Sequence, residues 1–341
     1  MGCSRANLKK GVFGPLFLCP QAGGLVASAV AMFVSVVIPT YNRRPILEKC
    51  LDALERQRVA GPLDQYEVVV VDDGSTDGTP AWLRGHVDRF PHVRLVEQQH
   101  GGPAEGRNRG VDHAKGDVIV FIDSDLVVTE SFLACHAKAL QRSWDQRGNR
   151  LCFTYGAVVN TANFEDPTSE RHKLRDLSWA YFATGNVAID RGVLERSGLF
   201  DCSFRLYGWE DLELGERLRR MGVGLIKCPE AVGYHWHPAL TLDQIPNLIR
   251  VEGERARMGL VFFRKHPTRR VRFIIQFTWL HRLLWEVLTL GGLVNQHSLR
   301  PTLRWLIHNG YPGTAMELLR LPLNRIGVRT LFQVAEAEGL H

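Results

Sequence analysis

The stretch DVIVFIDSDLVVTE, residues 117–130, places two aspartates at the end of an otherwise apolar run. Val118–Ile122 has the continuous apolar character of a strand that is buried on both faces. Asp123 and Asp125 follow directly and are separated by one serine. Burying a carboxylate costs free energy unless it is paired with a cation or binds a metal, and two neighbouring carboxylates cost more. The pattern therefore predicts a buried strand whose end carries a polar site.

Two upstream stretches show the same pattern. FVSVVIPTYN (33–42) is an apolar run that ends in polar residues, and YEVVVVDDGSTDGT (66–79) is a second run that ends in two aspartates. Helical patterns at 45–57 and 103–116 lie between the runs. This alternation predicts an α/β fold with a mostly parallel, Rossmann-like sheet flanked by helices. Because ligands bind beyond the carboxyl ends of such strands, we expect the three polar ends to lie along one crevice.

We expect the chain to have three parts. Residues 1–32 form an N-terminal extension that is poorly ordered or results from a start codon placed too early. Residues 33–238 form the α/β domain, which includes a glycine-rich loop at ATGNVAID (183–190) and a helix opened by GWEDLELGERLRRMG (208–222). Residues 239–341 form a helical region that is rich in arginine and tryptophan.

Composition limits the partners. The net charge of +6 and the pI of about 9.0 favour nucleotides, phosphates or anionic lipids. From Asp243 onward there are fourteen lysines and arginines against seven acidic residues. They are spread through helices beside tryptophan and leucine, and no nucleic-acid-binding module is recognisable, so we expect no nucleic-acid partner. Seven cysteines without a CxxC pair indicate a reduced, cytoplasmic protein with neither a disulfide framework nor a zinc site.

Six motifs, in order, resemble the inverting family 2 glycosyltransferases, whose domain has the GT-A fold. They are VSVVIPTYNR (34–43), VVVVDDGSTDGT (68–79), GRNRG (106–110), GDVIVFIDSD (116–125), ATGNVAI (183–189) and GWEDLELGERLRRMG (208–222). In the third motif, Gly106 stands where the family usually has alanine. The segment from GWED to YHWHP (208–238) also looks like the C-terminal part of the chondroitin-polymerase and galactosyltransferase-7 type enzymes.

The resemblance implies a divalent cation. In the family, a nucleotide-diphosphate sugar donates the sugar, and a cation neutralises the diphosphate that leaves. The second aspartate of the DxD pair is the direct ligand, which points to Asp125, with Asp123 on the ribose or the sugar. In the chondroitin-polymerase type, the histidine directly after the tyrosine of the YHWHP segment joins the metal, which points to His235. An imidazole ligand favours Mn²⁺ over Mg²⁺.

The resemblance also implies the residues that bind the donor. Pro39, Thr40 and Tyr41 correspond to the first nucleotide-contacting loop, and the ring of Tyr41 would stack on the base. Asp73 would accept the ring N–H of uracil, which makes the donor a UDP-sugar. Arg107 would contact the diphosphate or the base; the alternative is a surface charge.

Catalysis is assigned to the GWED motif. Asp211 is the expected general base that takes the proton from the acceptor hydroxyl, and Glu210 would orient the acceptor. A single displacement then inverts the anomeric configuration. Gly185, Asn186 and Trp209 are candidates for the acceptor side. The alternative for the two acids is helix capping, because acidic residues are favoured at that position in any helix.

The C-terminal region leaves further alternatives. The processive membrane synthases of the family have a QxxRW motif, but Pro301 replaces the glutamine here, so we expect non-processive transfer. Residues 271–294 are too polar for a confident membrane span. We favour a core or homodimer helix there and keep peripheral contact with the inner face of the membrane as a hypothesis.

Parts of the sequence fit two other functions. FIDSDLVV fits the nucleophile motif of haloacid-dehalogenase-type phosphatases, but that function leaves the PTYN, VDDGS and GWED motifs unexplained. A non-catalytic nucleotide-sugar-binding protein on the same fold is the second alternative, and the presence of both Asp125 and Asp211 argues against it. The expected acceptor is a glycan, a lipid-linked molecule or another hydroxyl compound.

Overall fold

The computed structural model describes residues 31–171 and 180–340. The predicted extension 1–32 lies outside the described residues except for its last two positions. The first strand begins at Met32, which is buried and donates its backbone N–H to Pro62 O at 2.7 Å.

The described residues contain eight strands and eleven α-helices. The strands are β1 (Met32–Thr40), β2 (Leu63–Asp72), β3 (Val93–Glu97), β4 (Val118–Ile122), β5 (Leu126–Val128), β6 (Cys152–Thr161), β7 (Asn186–Asp190) and β8 (Gly224–Trp236). The helices are α1 (Arg44–Glu55), α2 (Thr79–Arg84), α3 (Pro103–His113), α4 (Phe132–Arg147), α5 (Arg191–Arg196), α6 (Glu210–Arg220), α7 (Ile245–Lys265), α8 (Arg269–Ile274), α9 (Trp279–Leu288), α10 (Arg300–His308) and α11 (Pro312–Ala337).

All eight strands form one sheet in the order β3-β2-β1-β4-β7-β6-β8-β5. The pairs β1/β2, β1/β4, β2/β3 and β6/β8 are parallel, whereas β7 and β5 run antiparallel to their neighbours. The chain builds the sheet outward from β1 in one direction and then continues on its other side with β4. This change of direction between β1 and β4 is the point where α/β sheets bind ligands.

Strand β4, most of β1 and the second half of β2 are buried on both faces, which explains why these stretches are continuously apolar. In β1, the side chain of Val36 packs in one core with α1 and α4, and that of Val37 packs in a second core with α3, α5 and α6. The predicted α/β fold with a mostly parallel sheet and C-terminal helices is therefore confirmed.

One local prediction was wrong. The segment 183–190 was expected to be a loop, but Asn186–Asp190 forms β7, in which Phe121 of β4 faces Val187. The Gly–Asn pair resembled a turn, while the short apolar run after it is a buried strand. The correction matters because β7 supports the end of β4, where the two aspartates lie.

The C-terminal helices pack partly on the α/β domain. Trp209 and Leu212 of the GWED segment join a core with α7, α8 and α11. Within 271–294, Val271, Ile275 and Phe277 are buried in this core, as expected of a core helix, whereas α9 contains no buried residue. Across residues 31–171 and 180–340, no helix has the length and apolar character needed to cross a bilayer.

Candidate active site

A cleft of about 1020 Å³ opens beyond the carboxyl ends of β1, β2 and β4. Every predicted site residue except Asn186 lines it. They are Pro39, Thr40, Tyr41, Asp73, Arg107, Asp123, Asp125, Gly185, Trp209, Glu210, Asp211 and His235. The predicted crevice is thus present, because parallel strands bring their polar ends to one edge of the sheet.

Asp125, His235 and His237 form a compact group in this cleft. Each offers one ligand atom, and these atoms all lie within 4.8 Å of one another. The group is assembled by strand pairing: β5 begins directly after Asp125, and its Leu126 is opposite His235 in the antiparallel ladder with β8. One carboxylate and two imidazoles are a donor set that fits a transition-metal ion such as Mn²⁺ better than Mg²⁺.

The Asp125 carboxylate is paired with two side chains of the cleft. Its Oδ1 lies 2.9 Å from His235 Nε2, and its Oδ2 accepts a hydrogen bond from Arg43 Nη1 at 2.6 Å. Burial alone would raise the pKa of Asp125, but the hydrogen bond from His235 and the charges of His235 and Arg43 hold it below its ordinary value. The Asp125 side chain is therefore deprotonated, which is the form that binds a metal.

The pKa values of the two histidines are shifted in opposite directions. Burial would lower the pKa of His235, but the hydrogen bond and charge of Asp125 raise it above the ordinary value. Burial lowers the pKa of His237 to about 4, and the neighbouring His235 contributes to the decrease. His237 is thus a neutral imidazole near pH 7, which is the form that coordinates metals.

Arg107 links the acids on two sides of the cleft. Its guanidinium is buried and lies 2.8 Å from Glu210 Oε1 and 3.3 Å from Asp123 Oδ1. The alternative of a surface charge is therefore wrong for Arg107, since it is 5% exposed. Gly106, the departure from the family pattern, has a steric reason: a Cβ there would lie 3.2 Å from Pro39 Cβ.

Asp211 lies in the first turn of α6, beside Glu210 and partly exposed to the cleft. Burial raises the pKa of its carboxyl, and the charge of Glu210 adds to the increase, so that the pKa reaches about 7. A base with a pKa near the working pH is well matched to accepting a proton. The preceding Trp209 has a φ of 77°, a strained left-handed conformation that non-glycine residues adopt mostly at functional sites.

The capping alternative for Glu210 and Asp211 is only partly supported. The acidic first turn and the basic last turn of α6 do complement the helix dipole. The N-cap residue, Trp209, makes no side-chain cap bond, but Asp211 Oδ1 accepts a hydrogen bond from the backbone N–H of Leu212 at 2.7 Å. Asp211 thus satisfies one free N–H of the first turn, and Glu210 pairs with Arg107 instead.

Asp73 is held by the loop that follows β3. Its carboxylate accepts hydrogen bonds from Gln98 Nε2 (2.7 Å), Gly101 N (2.8 Å) and Gly102 N (2.9 Å), and lies 2.9 Å from His100 Nδ1. These contacts occupy the four acceptor positions of a carboxylate. A uracil N–H would have to replace the contact with Gln98 or His100. The exposed ring of Tyr41, expected to stack on a base, lies 4.4 Å from the ring of His100.

The three acceptor-side candidates have different positions. Gly185 lies next to Asp123. A Cβ built at position 185 would be 3.2 Å from Asp123 Oδ2. Trp209 lines the cleft, but its ring is held by α7: its Nε1 donates to Arg255 O at 2.7 Å, and the Arg255 guanidinium lies 4.8 Å from the ring centre.

Asn186 requires a correction. Its side chain is fully buried and bonds to His136 Nε2 (2.9 Å), Ala157 O (2.9 Å) and Ala231 O (3.0 Å). These bonds join β7 to β6, β8 and α4. The side chain therefore holds the sheet together and is not directed at an acceptor.

Residues outside the predicted set also line the cleft. Arg43, His100 and His237 contact Asp125, Asp73 and His235 respectively. Only His237 had a sequence signal, as the second histidine of YHWHP. Arg43 and His100 resemble ordinary surface residues in the sequence, and their roles depend on loop geometry.

Comparison with known proteins supports this geometry. Residues 35–198 match the family described as Glycosyl transferase family 2. This stretch, just under half of the chain, is similar to family 2 glycosyltransferases. The expected enzyme class, a glycosyltransferase, is thereby confirmed. The match ends before Asp211, His235 and His237, so the roles of these residues rest on their geometry.

Individual relatives are distant. An uncharacterized glycosyltransferase of Bacillus subtilis, YfnE, is 26% identical over 261 residues, which cover 61% of this chain and 66% of that protein. Validoxylamine A glucosyltransferase of Streptomyces hygroscopicus subsp. jinggangensis is 28% identical over 312 residues, which cover 80% of this chain and 68% of that protein. The chain spans about two thirds of the length of these curated relatives.

Among solved structures, the mannosyltransferase PcManGT from Pyrobaculum calidifontis, in complex with GDP-Man and Mn²⁺, has a TM-score of 0.57 at 22% identity. The match covers 90% of this chain and 89% of that one. It confirms the GT-A fold.

Proposed function

We propose that this protein is a metal-dependent, inverting glycosyltransferase that moves a sugar from a nucleotide-diphosphate sugar to an acceptor hydroxyl. The observation that carries the proposal is the pairing of two groups in one cleft: the cation-ligand set of Asp125, His235 and His237, and the carboxyl of Asp211 with its pKa raised to about 7. A binding protein has no need of this second group.

Each residue then has a defined task. Asp125, His235 and His237 would hold the cation, which supplies positive charge to the leaving diphosphate. Asp211 accepts the proton of the acceptor hydroxyl as the oxygen attacks the anomeric carbon. Because one displacement suffices, the product has inverted anomeric configuration. Arg107 holds Glu210 at 2.8 Å; the charge of Glu210 raises the pKa of Asp211, and the charge of Arg107 lowers it.

The finer assignments are part of the same proposal. We propose Mn²⁺ as the metal, in line with two imidazole ligands and with the Mn²⁺ bound by PcManGT. The contact between Asp125 and His235 at 2.9 Å is consistent with the likeness of 208–238 to the chondroitin-polymerase type. We propose a UDP-sugar donor, non-processive transfer and a cytoplasmic location from the sequence motifs. The GDP-Man bound by PcManGT makes a GDP-sugar the competing donor.

A thermal-shift panel tests the donor and the metal. UDP- and GDP-sugars are added to the full chain with Mn²⁺, with Mg²⁺ or with EDTA. We expect stabilisation by one nucleotide class with Mn²⁺ and its loss with EDTA and in Asp125→Ala. Stabilisation of equal size with EDTA would contradict the metal site.

A second experiment separates catalysis from binding. Asp211→Asn is expected to retain the donor-induced shift and to lose sugar transfer and donor hydrolysis, followed as release of nucleoside diphosphate. The matched control is Asp201→Asn, since Asp201 pairs with Lys265 at 2.6 Å and does not line the cleft. Full turnover in Asp211→Asn would refute the general-base role. Donor binding without any turnover in the unaltered protein, tested across acceptors, would favour the binding-protein alternative.

A further inference from the structure

Helix α9 exposes an unusual number of apolar side chains. They are Trp279 (69% exposed), Leu280 (56%), Leu283 (53%), Leu284 (47%), Val287 (61%) and Leu288 (44%). At 100° per residue these six positions fall within one half of the helix circumference. The face is therefore continuous and apolar.

The opposite half of α9 faces neighbouring segments through Trp285, whose Nε1 donates to Gln276 Oε1 at 2.6 Å, and through two charged side chains. Glu286 lies 2.9 Å from Arg325 and 2.6 Å from Arg329 of α11, and Arg282 lies 5.5 Å from the Phe332 ring centre of the same helix. A surface helix of a water-soluble domain has the reverse arrangement, with its apolar face on the core. Folding has thus placed the charged residues and Trp285 of α9 toward its neighbours and left the six apolar side chains outside.

The apolar surface continues beyond α9. The Phe273 ring lies 4.9 Å from the His281 ring at the start of α9 and is 64% exposed. Leu290 and Leu293 follow the helix directly and are 65% and 74% exposed. We call these three residues and the six of α9 the apolar face. Contiguous exposed apolar surface of this kind marks an interaction site.

Charge around the apolar face indicates the partner. From Arg269 to Trp305 the sequence has six arginines and one acidic residue, Glu286, whose carboxylate is already paired. Arg269, Arg300 and Arg304 are exposed. Exposed apolar side chains in a stretch of sequence that also carries exposed arginines are complementary to an anionic lipid surface, where the acyl region takes the leucines and the headgroups take the guanidiniums. A two-fold dimer through the same face would bring the arginines of both copies together.

We propose that the apolar face docks this protein on an anionic bilayer, with α9 lying in the plane of the interface. Its ten residues are about 15 Å long, half the thickness of a hydrocarbon core, so α9 lies on the bilayer and does not cross it. Trp279 sits at the depth of the headgroups, where its ring is favoured. The proposal does not depend on which sugar or acceptor the active site uses.

Vesicle flotation tests the proposal with the full-length protein. The probes are vesicles of phosphatidylcholine alone and of phosphatidylcholine mixed with phosphatidylserine. We expect the protein to float with the mixed vesicles and less with phosphatidylcholine. The variant Leu283→Asp/Val287→Asp should lower the partition coefficient at least about tenfold. The variant Arg300→Gln/Arg304→Gln should lower it about fivefold or more on mixed vesicles only.

The matched control is Val59→Asp/Val87→Asp, which introduces the same charges at two exposed valines of the α/β domain. It should float like the unaltered protein, and unchanged melting temperatures should show that all variants are folded. The proposal is overturned if the unaltered protein stays at the bottom of the gradient. It is equally overturned if Leu283→Asp/Val287→Asp floats normally, because another segment would then bind the lipid. A dimer that this variant dissociates, without flotation, would instead assign the apolar face to a second copy.

Discussion

Replacing Glu210 by glutamine should move the acid limb of the pH–rate profile to lower pH. The pKa of Asp211 is raised to about 7, first by burial and then by the charge of Glu210, while Arg107 lowers it. Glutamine keeps the size and a hydrogen-bond acceptor for Arg107 but removes the negative charge. Asp211 then faces the guanidinium without the competing carboxylate, so its pKa must decrease.

The size of the shift can be worked out. Two unit charges about 7 Å apart at an effective dielectric constant of about 20 interact by about 2.4 kcal/mol, or about 1.7 pH units. Because Asp211 is partly exposed to the cleft, we expect about 1 unit. With a pKa of about 7, the ionised fraction rises about tenfold from pH 6 to pH 8. With a pKa of about 6, it rises only about twofold.

The assay is therefore the ratio of kcat at pH 8 to kcat at pH 6, with donor, acceptor and metal saturating at both pH values. The ratio does not depend on any loss of absolute rate that the substitution causes. Glu216→Gln is the control, since Glu216 lies on the same helix, is equally buried and pairs with Arg219 at 2.7 Å. Its ratio should stay near tenfold. An unchanged or larger ratio in Glu210→Gln would refute the reasoning, because Asp211 would then not be the titrating base or Glu210 would not raise its pKa.

Three other substitutions have defined outcomes. Asp211 binds a proton in the folded state up to pH about 7, whereas it loses that proton near pH 4 when unfolded, so its ionisation destabilises the fold as the pH rises between these values. Asp211→Asn should thus raise the free energy of unfolding at pH 8 by about 1–2 kcal/mol and not at pH 4, measured by urea titration; equal effects at both would contradict the shift. Arg43→Ala should tighten Mn²⁺ binding several-fold in calorimetry without donor, because Arg43 Nη1 no longer competes for Asp125 at 2.6 Å. Arg44→Ala, whose guanidinium lies 5.6 Å from the Trp82 ring centre, is the control and should leave the affinity unchanged. Asn186→Ala should lower the free energy of unfolding by about 2–3 kcal/mol, because the carbonyls of Ala157 and Ala231 lose their hydrogen bonds. The KM for the acceptor should stay unchanged. A raised KM with unchanged stability would show that Asn186 contacts the acceptor.

The crevice could be predicted from the sequence because each strand and the polar residues at its end lie in one short stretch of the chain. An apolar run that ends in aspartate gives both the strand and the position of the polar group, and parallel pairing brings such ends to one edge. Asp73, Asp123 and Asp125 were therefore placed without any knowledge of strand order. The resemblance to the family added their roles.

The contacts of those carboxylates could not be predicted. The approach of His235 to Asp125 depends on the register of β5 against β8, which no local pattern records. Asn186 was assigned to a loop because a Gly–Asn pair suggests a turn, while its three buried hydrogen bonds depend on three other elements. For α9 the sequence showed an amphipathic helix, but not that its charged residues would face the neighbouring segments.

Helix α6 shows how the C-terminal helices contribute to the active site. Glu210, Glu213 and Glu216 are all buried on it, at spacings of three residues. Such charges are tolerated only with partners, and the partners come from different parts of the chain. Arg107 of α3 pairs with Glu210, whereas Glu213 lies 2.8 Å from His266, just after α7. Trp209, at the start of α6, is likewise bonded to α7 through Arg255 O. The helix that carries Asp211 is thus held at its N-terminal end by Arg107 in the cleft, and further along by His266 of the C-terminal region. The C-terminal region therefore positions the proposed base, although the six motifs end before it.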